Sequence, residues 1–460
     1  MIQKVKKFLK KILPEPIWNI QHFFYGWLGA RKYGKPSEEL LVVGITGTSG
    51  KSSTVALLRQ LLESSGFVVG SLSTIDFSIA GENKLNDQKM TMLGRAQIQK
   101  YLREMVDKGC QIAIVETTSE GVLQHRHRFI NYDIVLYTNL YPEHIEHHGS
   151  FENYKKAKLD IFRYIANGKR KAAKTLAFKH PHWKDIIPKI GIANGNSEHA
   201  SDFLQFSFDE KGVFLRLDKE KEIQTIDFDL VVGADDISIA PEGIAFQVDG
   251  YEMKAHMYGE YNVMNILSAI SIARALGVSY EKIQKSVQAF RGVPGRIELI
   301  SQASDYGFQV IVDYAFEPIA IEALYKVVEL MGPKRVIHVF GSTGGGRDIE
   351  RRFTVGKFVA KHADICIITD EDPYDDDPQA IIDDVVSACQ EGGKTLDKDL
   401  FSVLDRKMAI TKAIHMAKAG DVVLITGKGS EQAMVVKGTL IPWDDRDIAR
   451  GAIETYEQAE

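Results

Sequence analysis

The chain has 460 residues, of which 44% are hydrophobic and 26% are charged, which is typical of a soluble globular protein. At about 150 residues per domain, this length predicts two or three domains. The formal net charge of −5 argues against a general nucleic-acid binder, and the three cysteines form no close pair that would indicate a disulfide framework or a zinc site. The cysteine usage fits a reducing compartment, so we expect a cytoplasmic protein. No apolar run reaches the roughly 18 residues that a spanning helix needs.

The first 38 residues predict a helical segment that ends at Gly34 and Pro36. It starts with the basic, amphipathic "MIQKVKKFLKKIL" and continues with the aromatic-rich "IWNIQHFFYGWLGARKYG". Such a segment can lie on an anionic membrane surface, here the inner face of the membrane. It can also pack against the protein's own body. Two hypotheses therefore stay open, a peripheral membrane contact through residues 1–33 and an ordinary packed helix.

Residues 39–291 predict the first large domain. Apolar strands such as "LVVGIT", "QIAIVET" and "YDIVLYTNL" alternate with helical patterns from Leu41 onward, which is typical of a doubly wound parallel sheet. Between residues 200 and 257, short alternating segments are separated by turns. This pattern predicts antiparallel strands attached to the same domain.

A linker is predicted at "RGVPGR", residues 291–296, and the strand–helix alternation restarts after it. "FQVIVDYA", "RVIHVFGS", "ADICIITD" and "DVVLITGKG" are predicted strands, with helices at 319–331, 378–391 and 405–418. The fold class is therefore α/β: a P-loop-type central domain with a parallel sheet and an antiparallel attachment, then a Rossmann-like C-terminal α/β domain over residues 292–460. In such sheets, ligands bind at the carboxyl ends of the strands.

The stretch "GTSGKSS" has the composition of a phosphate-binding loop between a strand and a helix. Glycines allow backbone N–H groups to turn toward an anion, Lys51 adds a positive charge, and Ser52 can reach Mg²⁺ at the helix N-terminus. The strict P-loop pattern needs Gly at position 45, where this chain has Ile45, so Gly44 or Gly47 must shape the turn. The residues predicted to cradle the phosphates are Gly47, Thr48, Ser49, Gly50, Lys51, Ser52 and Ser53.

A second polar group follows two further predicted strands. Glu116 ends one strand, Asn139 and His144 follow the next, and Lys158 lies on the helix after it. A carboxylate and an imidazole near a triphosphate suit Mg²⁺. Two other interpretations remain, a zinc site built from the histidines at 144, 147 and 148, and a polar loop in which those histidines are solvated.

Motifs along the chain resemble those of the Mur ligase family, in that family's order. They are "TGTSGKSST", "ETTSEGVLQHR", "TNLYPEHIEHHG", "YKKAKLDIF", "GEYNVMNILSA", "GVPGRIE", "VDYAFEP", "FGSTGGGRDIERR", "DEDPYDDDP", "GKGSE" and "WDDRDIAR". The later motifs are most similar to the branch that adds the third residue of the peptidoglycan stem peptide. The resemblance implies an ATP-dependent, ADP-forming ligase of cell-wall synthesis, in which a carboxylate is phosphorylated and an amine then attacks the acyl phosphate.

The resemblance also implies roles for the nucleotide-site residues. The implied catalytic residues are Lys51, Glu116, His144 and Lys158, and the implied Mg²⁺ ligands are Ser52, Glu116, His144 and Lys158. Lys158 matches the family's carbamylated lysine, since a carbamate offers an anionic oxygen where a bare ammonium would repel the metal. It can also be read as a surface lysine of "YKKAK". The implied ATP contacts beyond the loop are Asn139, Asn265, Arg296 and Asp313, with Asn265 at the adenine and Asp313 at the ribose. Asn265 can instead cap its own helix.

Two substrates are implied, UDP-N-acetylmuramoyl-L-alanyl-D-glutamate as the acceptor and an amino acid. The implied acceptor contacts are Thr91, Thr118, Gln124 and Arg126. For the amino acid, Arg352 is implied to bind the α-carboxylate, and Gly427 and Glu431 the ammonium. The family normally opens with a uridine-binding domain, for which little chain precedes the phosphate loop. We therefore expect the carrier to be held differently, or the acceptor to be something other than a UDP-sugar.

The motif that sets amino-acid choice departs from the family pattern. Members that add meso-diaminopimelate have D-N-P-R where this chain has Glu371, Asp372, Pro373 and Tyr374. The arginine that pairs with the distal carboxylate is therefore absent, and Asp372 adds negative charge. This favours a simpler diamine such as lysine, whose distal ammonium would meet carboxylates. Phe316 also replaces a polar family residue, and "GKGSE" stands for "GKGHE".

Two alternatives remain beside this hypothesis. A folylpolyglutamate synthetase-like ligase uses the same chemistry without a uridine-binding domain, although "GGGRDIERR" and "GKGSE" match it poorly. The other alternative is a non-catalytic ATP-binding paralogue tethered to the membrane by residues 1–33.

Overall fold

The computed structural model describes residues 15–142, 148–219, 227–346 and 349–456. A first helix, α1 (Glu15–Lys32), precedes two α/β units. Among the described residues, the first unit contains an 11-stranded sheet and the second contains a six-stranded sheet with a two-stranded hairpin. The predicted limits of the domains, at residues 38 and 291, stay predictions.

The first unit contains strands β1 to β11 and helices α2 to α8. The strands are β1 (Leu41–Thr46), β2 (Val69–Leu72), β3 (Asp76–Ile79), β4 (Glu82–Leu85), β5 (Ile112–Glu116), β6 (Ile134–Tyr137), β7 (Ile190–Asn194), β8 (Glu210–Arg216), β9 (Leu230–Ala240), β10 (Gly243–Val248) and β11 (Tyr251–Ala255). The helices are α2 (Lys51–Ser64), α3 (Arg95–Asp107), α4 (Ser119–Leu123), α5 (Phe151–Ala166), α6 (Ala200–Leu204), α7 (Tyr261–Ala275) and α8 (Tyr280–Gln288).

The parallel part of this sheet runs in the order β9-β8-β7-β6-β1-β5-β2. β1 lies between β6 and β5, and all six of its residues are buried because helices cover both faces. The loops that follow β1, β5 and β6 therefore leave the sheet at one edge. This edge carries the predicted phosphate loop, Glu116 and Asn139 together.

The antiparallel attachment is confirmed, but it is shorter at its start than the sequence pattern predicted. β8 still pairs in parallel with both β7 and β9, and only β9, β10 and β11 form antiparallel pairs. At the opposite edge, β3 and β4 add a second antiparallel hairpin that the sequence did not predict. The four side chains of β4 are exposed or half-buried, so its sequence lacks the apolar alternation that marks a strand.

The second unit repeats the α/β pattern. Its strands are β12 (Glu298–Leu299), β13 (Gln309–Val312), β14 (Arg335–Phe340), β15 (Ile365–Ile368), β16 (Leu400–Ser402), β17 (Asp421–Ile425), β18 (Ala433–Val436) and β19 (Thr439–Pro442). Its helices are α9 (Pro318–Leu330), α10 (Glu350–His362), α11 (Pro378–Glu391), α12 (Arg406–Met416) and α13 (Asp445–Glu454). The sheet order is β12-β13-β17-β14-β15-β16, and all neighbours except β12 and β13 pair in parallel.

Helix α1 packs on the first unit through two glycines. A Cβ added at Gly29 would lie 2.8 Å from the Ala96 Cα, and one at Gly26 would lie 3.1 Å from the Phe129 ring. Phe23 contacts the same ring edge-on, with a centroid distance of 4.9 Å. The helix therefore lies against α3 and against the turn that follows α4. Within the described part of the chain, no helix combines the length and the hydropathy that crossing a bilayer requires.

A buried ion pair fixes α13 and α12 beneath the second sheet. Arg406 donates to both carboxylate oxygens of Asp445 at 2.8 and 2.7 Å and to the Thr426 carbonyl at 2.7 Å, and both charged side chains are 0% exposed. We expect Arg406→Met to lower the free energy of unfolding by about 3–5 kcal/mol, because the Asp445 charge would stay buried without its partner. Urea unfolding measures this difference.

The matched control is Arg163→Met, because Arg163 forms an exposed pair with Asp160 on α5. A surface pair of this kind contributes at most about 1 kcal/mol. Equal destabilisation by the two substitutions would contradict the structural role given to the buried pair.

Candidate active site

The loop between β1 and α2 depends on two glycines. Gly47 has φ +153° and Gly50 has φ +76°. A Cβ at Gly47 would lie 1.8 Å from Thr138 Oγ1, and one at Gly50 would lie 2.5 Å from Asn265 Oδ1. Gly47 therefore shapes the turn, whereas Gly44 is part of strand β1. No side chain caps the N-terminus of α2, so its first N–H groups remain available to an anion.

The turn after β6 holds this loop in place. Asn139 accepts the Ser49 N–H through Oδ1 at 2.9 Å, and its carbonyl accepts the Thr48 N–H at 2.9 Å. Thr138 Oγ1 donates to the Ser49 carbonyl at 2.7 Å. Asn139, predicted to contact ATP, is thus a positioning residue for the loop in this structure.

Two lysines approach the loop. Lys51 Nζ donates to the Thr48 carbonyl at 2.7 Å, and Lys158 Nζ donates to the Gly47 carbonyl at 2.6 Å. Lys158 is 2% exposed and its ammonium lies 4.6 Å from the centre of the Tyr154 ring, so the interpretation as a surface lysine is wrong. Both side chains can deliver positive charge to phosphates that are bound at the loop.

Ser52 and Glu116 form the centre of the site. Ser52 Oγ lies 2.9 Å from each Glu116 carboxylate oxygen, and Glu116 is 1% exposed. Glu116 Oε2 also accepts the Thr74 N–H at 2.8 Å and the Thr74 hydroxyl at 3.1 Å. Thr91, a predicted acceptor contact, is hydrogen bonded to the same Thr74 hydroxyl at 2.8 Å.

A hydroxyl and a carboxylate that already face each other are oxygen ligands of the kind that Mg²⁺ prefers, so the donor set fits this ion. His144, the remaining predicted ligand besides Lys158, lies outside the described residues. His148 is described and contacts Ser119 Oγ through Nε2 at 3.1 Å. Among the described residues, no three His, Cys, Asp or Glu side chains cluster as a transition-metal site would require. Two of the three histidines in the zinc interpretation, at 144 and 147, lie outside the described residues, so that interpretation stays a prediction.

The predicted acceptor contacts lie around α4. Thr118 caps this helix by accepting the Gly121 N–H at 3.0 Å. Arg126 donates to Gln124 Oε1 at 2.7 and 3.1 Å and to the Met92 carbonyl. Burial lowers the pKa of Arg126, and Glu120 opposes this effect. Burial, reinforced by the Arg126 charge, lowers the pKa of Arg95 to about 10. Two neighbouring guanidinium groups favour an anionic ligand here.

The remaining predicted nucleotide contacts are Asn265, on α7 of the first unit, and Arg296 and Asp313, near the start of the second unit. Asn265 faces Gly50 and donates to Asn262 Oδ1 at 2.8 Å. The Arg296 guanidinium lies 4.2 Å from the centre of the Tyr314 ring. Asp313 accepts the N–H groups of residues 297 and 315, each at 2.6 Å, and burial raises its pKa although Arg296 opposes this. Asp313 therefore fixes the start of the second unit in addition to any contact with a ribose.

The acidic side of the site is an ion cluster between the two units. Lys428 Nζ lies 3.2 Å from Asp372 Oδ2 and 2.8 Å from Glu431 Oε2. Lys89, from the segment between β4 and α3, pairs with the same Asp372 and lies 3.1 Å from Glu431. Although burial alone would raise it, Lys428 and Lys89 hold the pKa of Asp372 below its usual range. Burial and the Lys428 charge lower the pKa of Lys89. The carboxylates of Glu431 and Asp372 act in the opposite direction.

Three other predicted amino-acid contacts have local roles. A Cβ at Gly427, whose φ is +103°, would lie 2.5 Å from Glu371 Oε2, so glycine is required there. Tyr374 has φ +54° and its backbone joins the strand β18. Arg352 donates to Asp384 at 2.9 Å and to the Thr343 carbonyl at 3.4 Å. The Nε of Arg352 is buried without a hydrogen-bond partner among the described residues, so this guanidinium keeps a donor for a further acceptor.

The sequence did not identify Lys89, Lys428 or Arg95 as site residues. Lys428 lies inside "GKGSE" and could have been found from that motif. Lys89 and Arg95 flank the short, mainly apolar stretch "MTMLG", which carries no recognisable site pattern. Only the fold brings Lys89 to Asp372, 283 positions away.

The comparisons with known proteins agree with these observations. The chain matches the Mur ligase middle domain over residues 45–273 and the domain described as "Mur ligase, glutamate ligase domain" over residues 295–429. It is 32% identical over 432 residues to a UDP-N-acetylmuramyl-tripeptide synthetase of Roseiflexus sp. (strain RS-1), covering 93% of this chain and 81% of the relative. It is 29% identical over 425 residues to UDP-N-acetylmuramoyl-L-alanyl-D-glutamate--2,6-diaminopimelate ligase 2 of Clostridium acetobutylicum, covering 90% and 79%.

Two solved structures share the fold. A UDP-N-acetylmuramoyl-L-alanyl-D-glutamate--2,6-diaminopimelate ligase superposes with a TM-score of 0.57 at 24% identity, over 90% of this chain and 78% of the other. The folylpolyglutamate synthase of Mycobacterium tuberculosis superposes with a TM-score of 0.66 at 15% identity, over 95% and 96% of the two chains. The matched domains and the relative at 32% identity show that this chain belongs to the Mur ligase family and is an ATP-dependent ligase.

Proposed function

We propose that the protein joins an amino acid to the terminal carboxylate of a muramoyl dipeptide, UDP-N-acetylmuramoyl-L-alanyl-D-glutamate, and so adds the third residue of the peptidoglycan stem. The observation that carries this proposal is the position of the Ser52–Glu116 pair. Through Thr74 and Thr91 this pair is connected to the segment that reaches the acidic cluster of the second unit. A phosphate site and an amine site are thus joined by one short stretch of chain.

The residues of the site support an acyl-phosphate route. The glycine loop and the free N–H groups of α2 would bind the phosphates, and Lys51 would stabilise the phosphoryl group during transfer. Ser52 and Glu116 would hold Mg²⁺, which supplies charge neutralisation across the phosphates when bound. Lys158 would add charge beside Gly47, either as an ammonium or, as the family resemblance implies, as a carbamate ligand.

The acceptor would lie on the Arg126 side of this centre. Arg126, with Arg95 beside it, would pair with carboxylate groups of the dipeptide, while Thr118 and Gln124 line the same turn. The amine would come from the side of the second unit, where Asp372 and Glu431 offer carboxylates. Tyr374 cannot pair with a distal carboxylate as an arginine would. A diamine such as lysine is therefore favoured over meso-diaminopimelate.

The structure of a folylpolyglutamate synthase covers nearly the whole of both chains, and this likeness keeps the glutamate-adding alternative open to test. We expect phosphate release from ATP with Mg²⁺ and the muramoyl dipeptide only when an amino acid is added, and most strongly with L-lysine. Turnover with a folate and glutamate, and none with the muramoyl dipeptide, would establish the alternative. Assays with each acceptor and a panel of amino acids, including meso-diaminopimelate, distinguish the two functions.

Lys51 provides the test of the phosphate loop. Replacing Lys51 with Ala should lower kcat by at least about 100-fold, because one charge that stabilises the transferred phosphoryl group is lost. Lys174→Ala is the matched control, since Lys174 is an exposed lysine of the same unit. Thermal unfolding of both variants should stay close to that of the parent protein. A near-normal rate for Lys51→Ala would show that the phosphate-loop assignment is wrong.

The outer face of α1 supports a peripheral membrane contact. Phe24, Tyr25, Trp27 and Leu28 are 40–52% exposed on this helix. Arg31 and Lys32 follow in its last turn, and the sequence before the helix is rich in lysine. Aromatic side chains beside basic ones are typical of helices that lie in the headgroup region of an anionic bilayer.

Vesicle sedimentation tests this contact. We expect binding to phosphatidylglycerol vesicles that weakens with added salt, and little binding to phosphatidylcholine vesicles. Phe24→Ser combined with Trp27→Ser should weaken the binding about tenfold or more, because two apolar side chains no longer enter the headgroup region. Ile319→Ser is the control, since Ile319 is 62% exposed on the second unit. If the double variant binds vesicles as strongly as the parent and the control, α1 does not make the membrane contact. If none of the three proteins binds, there is no such contact.

A further inference from the structure

Lys89 enters the amino-acid side of the site from the other half of the molecule. It lies between β4 and α3 of the first unit, yet its ammonium pairs with Asp372 and Glu431 of the second. Its side chain is only 10% exposed. The two carboxylates that would receive the distal ammonium of a diamine therefore already hold an ammonium group of the chain itself.

The two lysines of this cluster differ in how they are held. Lys428 is 0% exposed and lies three positions from Glu431, so it remains with the carboxylates in any arrangement of the two units. Lys89 belongs to the first unit and is removed when the units separate. With Lys89 in place, two carboxylates face two ammonium groups and the cluster carries no net charge. Without it, the cluster carries one surplus negative charge.

The backbone of Lys89 has an unfavourable conformation, and the residues that follow it are hydrogen bonded to other parts of the site. Lys89 has φ +47°, a left-handed conformation that is unfavourable for a residue with a Cβ. Two positions later, Thr91 is hydrogen bonded to the Thr74 hydroxyl that Glu116 accepts. The next carbonyl, that of Met92, accepts from Arg126. Movement of Lys89 is thus coupled to the predicted metal pair and to the predicted acceptor contacts.

We propose that Lys89 is a specificity-determining residue, whose ammonium occupies the subsite of the distal ammonium of the incoming diamine and is displaced when the diamine binds. This proposal rests on the proposed function of the site. Binding a diamine exchanges one ammonium for another, so the net gain from its charge is small. An amino acid without a distal ammonium leaves Lys89 in place and leaves no carboxylate unpaired. Lys89 therefore reduces the preference, measured as the ratio of kcat/KM values, for a diamine over an uncharged amino acid of similar length.

The ratio of kcat/KM for L-lysine to that for L-norleucine measures this difference. We expect the ratio to rise about tenfold in Lys89→Met, mainly through a lower KM for L-lysine, because a surplus carboxylate would then favour the ammonium and penalise the uncharged side chain. Lys89→Arg should keep the parent ratio, since it keeps the charge. Lys84→Met is the matched control, because Lys84 is an exposed lysine that pairs with Asp87 on the same hairpin.

Calorimetry of L-lysine and L-norleucine binding, in the presence of a non-hydrolysable ATP analogue, separates this proposal from the proposed function. Tighter binding of L-lysine to Lys89→Met than to the parent supports the role of Lys89, even if no variant ligates any amino acid and the proposed function fails. The proposal would be overturned if Lys89→Met and Lys89→Gln still ligate but bind L-lysine as the parent does and keep the parent ratio of kcat/KM values. Lys89 would then only connect the two units.

Discussion

The carboxylate of Glu116 is the point on which the arrangement of the site depends. It is nearly fully buried, and it accepts hydrogen bonds from Ser52 at the start of α2 and from Thr74 after β2. A buried carboxylate is costly unless its oxygens are satisfied, so the protein gains stability by bringing these segments together. The same contacts place a carboxylate beside the phosphate loop, where a cation that neutralises ATP would be bound. One interaction thus serves both the fold and the chemistry.

The second constraint acts between the two units. Asp372 and Glu431 lie on one unit, and the segment that carries Lys89 lies on the other. Ion pairs with little exposure are sensitive to the loss of a single partner, because the remaining charge stays desolvated. The contact between the units is therefore stabilised by charges that a substrate ammonium can also satisfy. Substrate binding and movement of the units would then compete for the same carboxylates, which is a simple physical basis for coupling them.

The sequence predicted the parts of the molecule that have local signals. The phosphate loop, the buried parallel strands and the helices near 378–391 are each recognisable from a short window, because apolar periodicity and glycine position are local properties. The β3–β4 hairpin was missed, since its outer strand is too exposed to show alternation. Lys89 was missed for a different reason. Its partners are far away in sequence, and a polar residue gives no indication of a partner in another domain.

A residue that a motif assigns to ligand binding can also have a role that the motif does not show. Asn139 and Asp313 were predicted as nucleotide contacts, and both make backbone hydrogen bonds that position the loop and the start of the second unit. A polar side chain at the carboxyl end of a strand can satisfy the backbone, bind a ligand, or do both. Sequence patterns do not distinguish these roles, because each of them requires the same residue type.

The charges of the site are separated in a way that suits the joining of a carboxylate to an amine. Lys51, Lys158 and Arg126 lie on the side of the phosphate loop and the α4 turn, where ATP and the acceptor bring negative charge. Asp372 and Glu431 belong to the second unit, where the amino acid would bring its ammonium groups. ATP and the acceptor would be drawn to the positively charged side, whereas the acidic cluster would attract an ammonium group only once Lys89 has left it. Lys89 and Lys428 neutralise Asp372 and Glu431, so the acidic cluster carries no net charge until Lys89 leaves it.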